Sequence, residues 1–353
     1  MKTTHPLSLL VILGSLLASI CAAAAEPVKI RMSINDPLIP TLTVNMGFFA
    51  QEGIDVTFVK VESVSAEDYL MQEPLVNGRL DVCCHWFQQV AFGARHNFPV
   101  KAVLLVNDAP GIKVLVASRL KDQIKSAADF KGRNVAEGAG YATKSMLTKF
   151  LVHQAGLSRD SYSAVLPEVE NRRENVIQGL REGRVDVMSF MEPMTTAIEE
   201  TGLVSTLYDL TTGAGTKQAF GEIWPSHCVF LSDKFIAAHP EIVQHIVNAF
   251  VRTLRYVNSH SAEEIAAKLP AGYFEGKDRK AEMTRIERAL PQIARGNYTF
   301  PLSAVKMALA TIETSKFDSS VEGQFRLQDE NHHVQAEDLF TNRFAAEAMK
   351  NIK

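Results

Sequence analysis

A motif that occurs twice constrains this chain more than any other feature. Val76-Asn77-Gly78-Arg79-Leu80-Asp81-Val82 returns as Arg181-Glu182-Gly183-Arg184-Val185-Asp186-Val187, with the two glycines 105 residues apart. Each copy follows a stretch with helical patterning and opens a short apolar run. Gly at that place ends a helix, because it adopts the left-handed C-cap conformation without steric penalty. The apolar run behind it reads as a buried parallel strand. A second correspondence keeps nearly the same offset: residues 46–54 match 149–157, placing Gly53 and Gly156 103 residues apart. Two such copies predict two similar α/β lobes with a cleft between them, and a cleft implies a ligand.

The first 25 residues read as an address rather than as part of the fold. Lys2 supplies a positive start, residues 7–20 are apolar, and Ala22 to Ala25 offer a signal-peptidase site. The apolar run is shorter than the ~20 residues that span a bilayer. Lipid attachment at Cys21 is disfavoured, because Ile20 is bulky where such sites want a small residue. Export to the periplasm through a cleavable signal peptide is therefore expected. The remaining chain of about 328 residues suits two lobes of ordinary size. The formal charge is -3, so there is no basic footprint for nucleic acid. Cys83, Cys84 and Cys228 survive processing and read as buried thiols on strands. The alternative, Cys228 joined to Cys83 or Cys84, is permitted by an oxidising compartment. No Cys or His spacing suits a metal site, and no cofactor is called for.

Along the chain, strands are expected at 29–34, 54–61, 80–84, 100–106 and 111–118. Helices are expected from Pro37 to about Glu52 and over 66–77. Strand and helix alternating at this spacing specify βαβ units and a parallel sheet. A second series begins near Ser126 and ends with a strand at 185–190, and an apolar strand at 228–231 returns the chain to the first lobe. Two crossings of this kind make a hinge. The expected division is a first lobe over 26–114, a second over 115–225, and a return with C-terminal helices over 226–353. Those helices are expected over 241–257, 262–269, 280–290, 302–314 and 336–349.

With repeat, hinge and export signal in place, the chain resembles the periplasmic binding proteins of ABC importers for nitrate, sulfonates and taurine, related to binders of thiamine-pyrimidine precursors. The residues that carry the resemblance are Asn45-Met46-Gly47-Phe48-Phe49-Ala50-Gln51-Glu52-Gly53-Ile54-Asp55-Val56, Asn77-Gly78-Arg79-Leu80-Asp81-Val82 and Ser126-Ala127-Ala128-Asp129-Phe130-Lys131-Gly132-Arg133-Asn134-Val135. Met191-Glu192-Pro193 and His239-Pro240-Glu241-Ile242-Val243 add to them. The resemblance implies a two-lobed periplasmic binding protein type II fold, each lobe a mostly parallel sheet flanked by helices, joined by a two-strand hinge. It also implies a monomer that catalyses no reaction and hands its ligand to a permease driven by an ATPase. Two stretches depart from the family pattern. Cys83-Cys84-His85-Trp86-Phe87 replaces small residues after the third strand, and Met191 stands between Phe190 and Glu192.

In parallel sheets ligands sit beyond the carboxyl ends of strands, at the N-termini of the following helices. That rule selects Asn35 and Asp36, His85 and Trp86, the loop of Gly138, Gly140, Tyr141 and Thr143, and Glu192. Trp224 and His227, just before the return strand, join them. Gly138 and Gly140 allow close backbone approach, while Thr143, Ser145 and a helix N-terminus offer donors to an anion. Trp86 offers a flat face and His85 a hydrogen bond. For Glu192, capping the next helix competes with binding a ligand amine, and Asp36 faces the same choice. Lys144 is the one nearby cation in this set, which favours an organic anion such as an aliphatic sulfonate, taurine or a sulfate ester over bare nitrate. A thiamine-pyrimidine precursor or another heteroaromatic is the alternative ligand. The rival functional classes are a pyrimidine-synthase-like enzyme, which the export signal opposes, and a sensor that docks on a receptor.

Overall fold

The structure, a computed structural model, describes residues 26–60, 72–95, 97–136, 142–165, 172–315 and 334–352. The signal-peptide reading, the start of the helix expected from Ala66, and Gly138, Gly140 and Tyr141 lie outside these residues.

Lobe 1 begins with β1 (Val28–Ile34), α1 (Leu38–Asn45), α2 (Phe48–Gln51) and β2 (Ile54–Phe58). It continues through α3 (Gln72–Val76), β3 (Val82–Trp86), α4 (Gln88–Arg95) and β4 (Val100–Leu105). The helix expected to run unbroken to Glu52 is in fact two, because Gly47 adopts φ 71° and turns the chain between them. Lobe 2 contains β5 (Ile112–Ala117), β6 (Asn134–Ala136), α5 (Thr143–Gln154), β7 (Ser163–Val165), α6 (Arg172–Arg181), β8 (Val187–Met191), α7 (Met194–Glu199), β9 (Val204–Leu210) and α8 (Gly213–Phe220). The chain returns through β10 (His227–Ser232) and ends in α9 (Asp233–Ala238), α10 (Pro240–Val257), α11 (Ala262–Ala266), α12 (Arg279–Ala289), α13 (Leu302–Ser315) and α14 (Arg343–Asn351). The helix expected over 336–349 is interrupted. Residues 339–341 bond instead to Ala102 on β4, and Asn342 exchanges two hydrogen bonds with the backbone of Phe300 at 2.8 and 2.9 Å.

The two lobes are built to one plan. The first sheet has the order β2-β1-β3-β10-β4 and the second β7-β6-β8-β5-β9. In each, three neighbouring strands run parallel, and the strand next to them, β10 or β5, runs antiparallel to both its neighbours. Four of five strands therefore point the same way.

The duplicated sequence occupies equivalent places in this plan. Gly53 and Gly156 precede β2 and β7 at φ 71° and 76°, and Gly78 and Gly183 precede β3 and β8, each at φ 74°. The repeated Asp is a structural ligand of its sheet. Asp81 accepts the backbone N–H of Arg31 on β1 at 2.8 Å, and Asp186 accepts that of Asn134 on β6 at 2.9 Å. Each carboxylate also holds an arginine, Arg31 at 2.7 Å and Arg119 at 2.5 Å. In both lobes the carboxylate thus satisfies a backbone N–H of the neighbouring strand and an arginine together, which explains why this residue type recurs at this spacing.

Residues 106–111 carry the chain from lobe 1 to lobe 2, and residues 221–226 carry it back. The crossings run side by side: Val106 N–H donates to the His227 carbonyl at 2.8 Å, and Ser226 N–H to the Asn107 carbonyl at 2.9 Å. A third link is α13, which packs against α5 of lobe 2 and α4 of lobe 1. Arg95 at the end of α4 pairs with Glu313 of α13 at 2.9 Å. Cys83, Cys84 and Cys228 are buried on β3 and β10, no disulfide joins Cys84 to Cys228, and burial pushes all three thiols up. No helix of the described residues is long and apolar enough to cross a membrane.

Candidate functional site

A cavity of about 360 Å³ lies between the lobes, within the size range of small-molecule sites. Its walls come from the carboxyl ends of strands and the helices that follow, as the parallel-sheet rule requires. Lobe 1 contributes Asn35 after β1, His85 and Trp86 at the end of β3, and Gln88, Gln89 and Phe92 of α4. Lobe 2 contributes Ala142, Thr143 and Lys144 at the start of α5, and Arg172 at the start of α6. Phe190 and Met191 of β8 and Met194 of α7 close that side. Gln88, Thr143 and Met194 are each the first residue of their helix, so three helices begin at the cavity. Helix N-termini carry unpaired N–H groups and a partial positive charge, and both favour an anion.

The charged side chains reinforce that field. Lys144 and Arg172 are both cationic, and among the described residues neither takes part in an ion pair. The lining contains no described carboxylate. Burial, and secondarily repulsion from Arg172, bring Lys144 down to about 8, so its ammonium persists at neutral pH but is held at a cost. Its Nζ lies 4.6 Å from the centre of the Phe190 ring. His85 is pushed down to about 3 by burial, with a smaller contribution from His227, and is a neutral hydrogen-bonding group. Among the described residues its Nδ1 has no hydrogen-bond partner. Thr143 donates its hydroxyl to Gln88 Oε1 at 2.7 Å, a bond between lobes at the cavity wall.

The sequence-derived candidates separate into two groups. Asn35, His85, Trp86 and Thr143, with the neighbouring Lys144, meet at the cavity. Trp224 does not line it. Its side chain is wholly buried, and Nε1 donates to Thr311 of α13 at 3.2 Å, so it anchors α13 to the hinge. Glu192 is a cap: its carboxylate accepts the N–H of Thr196 at 3.2 Å. Asp36 likewise accepts the N–H of Leu38 at 2.8 Å, ahead of α1. Asp36 and His227 line a separate cavity of about 20 Å³, with room for a water molecule. His227 stands behind the main wall, where Nε2 meets Asn35 Oδ1 at 3.1 Å and the ring centre lies 4.3 Å from that of Trp86.

Sequence reasoning missed Arg172, Gln88, Gln89, Phe92 and Met194, and used Phe190 and Met191 only as marks of departure from a pattern. Gln88 was within reach of the rule that found the others, since it opens a helix just after β3. Among the described residues no cluster of His, Cys, Asp and Glu is arranged to hold a metal ion.

A model of the NMT1/THI5-like family matches residues 42–264. Among solved structures, the chain is similar to the sulfonate-binding protein SsuA of Methylobacillus flagellatus KT, from a putative sulfonate ABC transporter. The identity is 16%, with a TM-score of 0.66 over 93% of this chain and 95% of that one. It is similar to the nitrate-binding protein NrtA of Synechocystis PCC 6803 at 12% identity and TM-score 0.57, over 93% and 90% of the two chains. The desulfurization enzyme DszB is similar at 13% identity and TM-score 0.57, over 92% and 100%. At such identities the likeness is one of fold. No curated protein gives a significant match.

Proposed function

Because the chain belongs to the NMT1/THI5-like family, we propose that it is the solute-binding component of an ABC importer. It captures a small organic anion, such as a sulfonate or sulfate ester, between its lobes. One observation carries the reading: Lys144 and Arg172 share an interlobe cavity with three helix N-termini and no described carboxylate. An anion there restores the solvation that burial has removed from Lys144. Micromolar capture requires about -8 kcal/mol. One charge-assisted hydrogen bond contributes about 1.5–3 kcal/mol, so both cations, the amides of Asn35, Gln88 and Gln89, and the apolar wall act together. In this reading residues 1–25 export the protein to the periplasm, where it works as a monomer and delivers its ligand to a permease and ATPase.

An aminopyrimidine ligand has weaker support, because Asp36 and Glu192, the carboxylates adjacent in sequence to lining residues, are each engaged by a backbone N–H in the first turn of a helix. Chemistry at the cysteines also has weak support, since a reactive thiol needs a lowered pKa and these are raised. Isothermal titration with propanesulfonate, a sulfate ester and an aminopyrimidine tests the proposal. Binding of the anions with a 1:1 stoichiometry is expected, and Lys144→Gln and Arg172→Gln each weaken it. Binding of the aminopyrimidine alone would overturn the reading.

A further inference from the structure

We propose that Trp86, propped from behind by His227, is a stacking wall, and that the anion captured here carries an aromatic ring. The inference rests on the anion-binding reading of the cavity and specifies the other end of the ligand.

Trp86 and His227 are register partners on β3 and β10. Trp86 borders the main cavity, whereas His227 is not among its lining residues and borders the small cavity instead. The two ring centres are 4.3 Å apart with a 41° tilt. His227 is itself fixed at both nitrogens, to Asn35 Oδ1 at 3.1 Å and Ser226 Oγ at 3.2 Å, and only 7% of it is exposed. Burial pushes His227 down to about 4, so the backing ring is uncharged at neutral pH. An indole held this way loses little freedom when a second ring stacks on it.

The cavity is also polarised. Both cations stand on lobe 2 and Trp86 stands on lobe 1, which orients a ligand with its charge toward α5 and α6 and its body toward β3. Met191 and Met194 complete the wall with thioethers, which adapt to flat rings and make favourable sulfur–aromatic contacts. Phe190 has Lys144 over its ring; of the two other aromatic side chains on the wall, Phe92 and Trp86, the indole offers the larger face.

Benzenesulfonate and cyclohexanesulfonate have the same head group and carbon count and differ in the flatness and π-face of the ring. Titration calorimetry on the full mature chain is expected to show benzenesulfonate bound about three- to tenfold more tightly. Trp86→Leu should bring the two ligands to parity, and His227→Ala should reduce the ratio while His227→Phe retains it. Equal affinities in the parent protein, which needs no variant, would overturn the inference and leave anion capture intact. A preference that survives Trp86→Leu would remove Trp86 from the role. Failure of both sulfonates to bind would instead overturn the reading on which the inference stands.

Discussion

Lys144 couples the cavity to protons. Its ammonium is favoured below about pH 8 in the free protein, and a bound anion keeps it favoured to higher pH. Affinity should therefore be flat below pH 8 and fall above it by up to about tenfold per pH unit, the limit for one linked proton. Titrations between pH 6.5 and 9.5 read this directly, and Lys144→Gln should flatten the profile while weakening binding at pH 7 by about 10- to 100-fold. Trp224 belongs to the opposite class. Trp224→Ala should destabilise the fold by about 3–5 kcal/mol in urea unfolding, with no cavity contact removed. Residue type alone did not separate these cases: Trp86 and Trp224 look alike in sequence, and only the packing of α13 over the hinge buries the second. Glu192 and Asp36 adjoin residues that line the cavity, but nearby backbone N–H groups engage their carboxylates.

At the level of elements, close packing shows where small residues are required. A Cβ at Gly215 in α8 would run into the backbone carbonyl of Asp209, which cannot swing aside. A Cβ at Gly93 in α4 would meet the Cγ of Gln72, a side chain that is buried and bonded to Gln89. Gly215→Ala should therefore cost at least as much as Gly93→Ala, with both within about 1–3 kcal/mol by thermal or urea unfolding. Most elements were legible in the sequence because periodicity and caps agreed. Pro240 opens α10 at its first residue, and Gly78 and Gly183 stand at the ends of helices as predicted. The failures came from longer-range pairing. Nothing local in 336–349 announces that residues 339–341 bond to β4, and only the left-handed turn at Gly47 separates α1 from α2.

For the whole molecule, the hinge contributes its own response to pH. Asp108 lies on the first crossing with its carboxyl against Gly213 at the start of α8, and burial raises it to about 6 despite the opposing fields of Arg295 and Lys217. In the unfolded chain the group titrates near 3.8, so folding is penalised above pH 6 and recovers as the pH falls toward 4. The recovery should be about 1–2 kcal/mol, reduced by the group's partial exposure. Urea unfolding at pH 7 and pH 5 should show this change in the parent and lose it in Asp108→Asn. The proposed ligand capture should add a comparable or larger effect: an anion at 100 times its Kd would stabilise the protein by about 2.7 kcal/mol and raise Tm by roughly 4 °C.

The position of β10 bears on the order in which the molecule can be assembled. Every strand of the second sheet is drawn from one unbroken stretch, Ile112 to Leu210, so that sheet can close as soon as the stretch is available. The first sheet cannot, because its fourth place, between β3 and β4, stays vacant until residues 227–232 arrive. A polypeptide emerging N-terminus first thus begins the first lobe earlier and completes it later, and until then β3 and β4 present unpaired edges for any holding factor to shield.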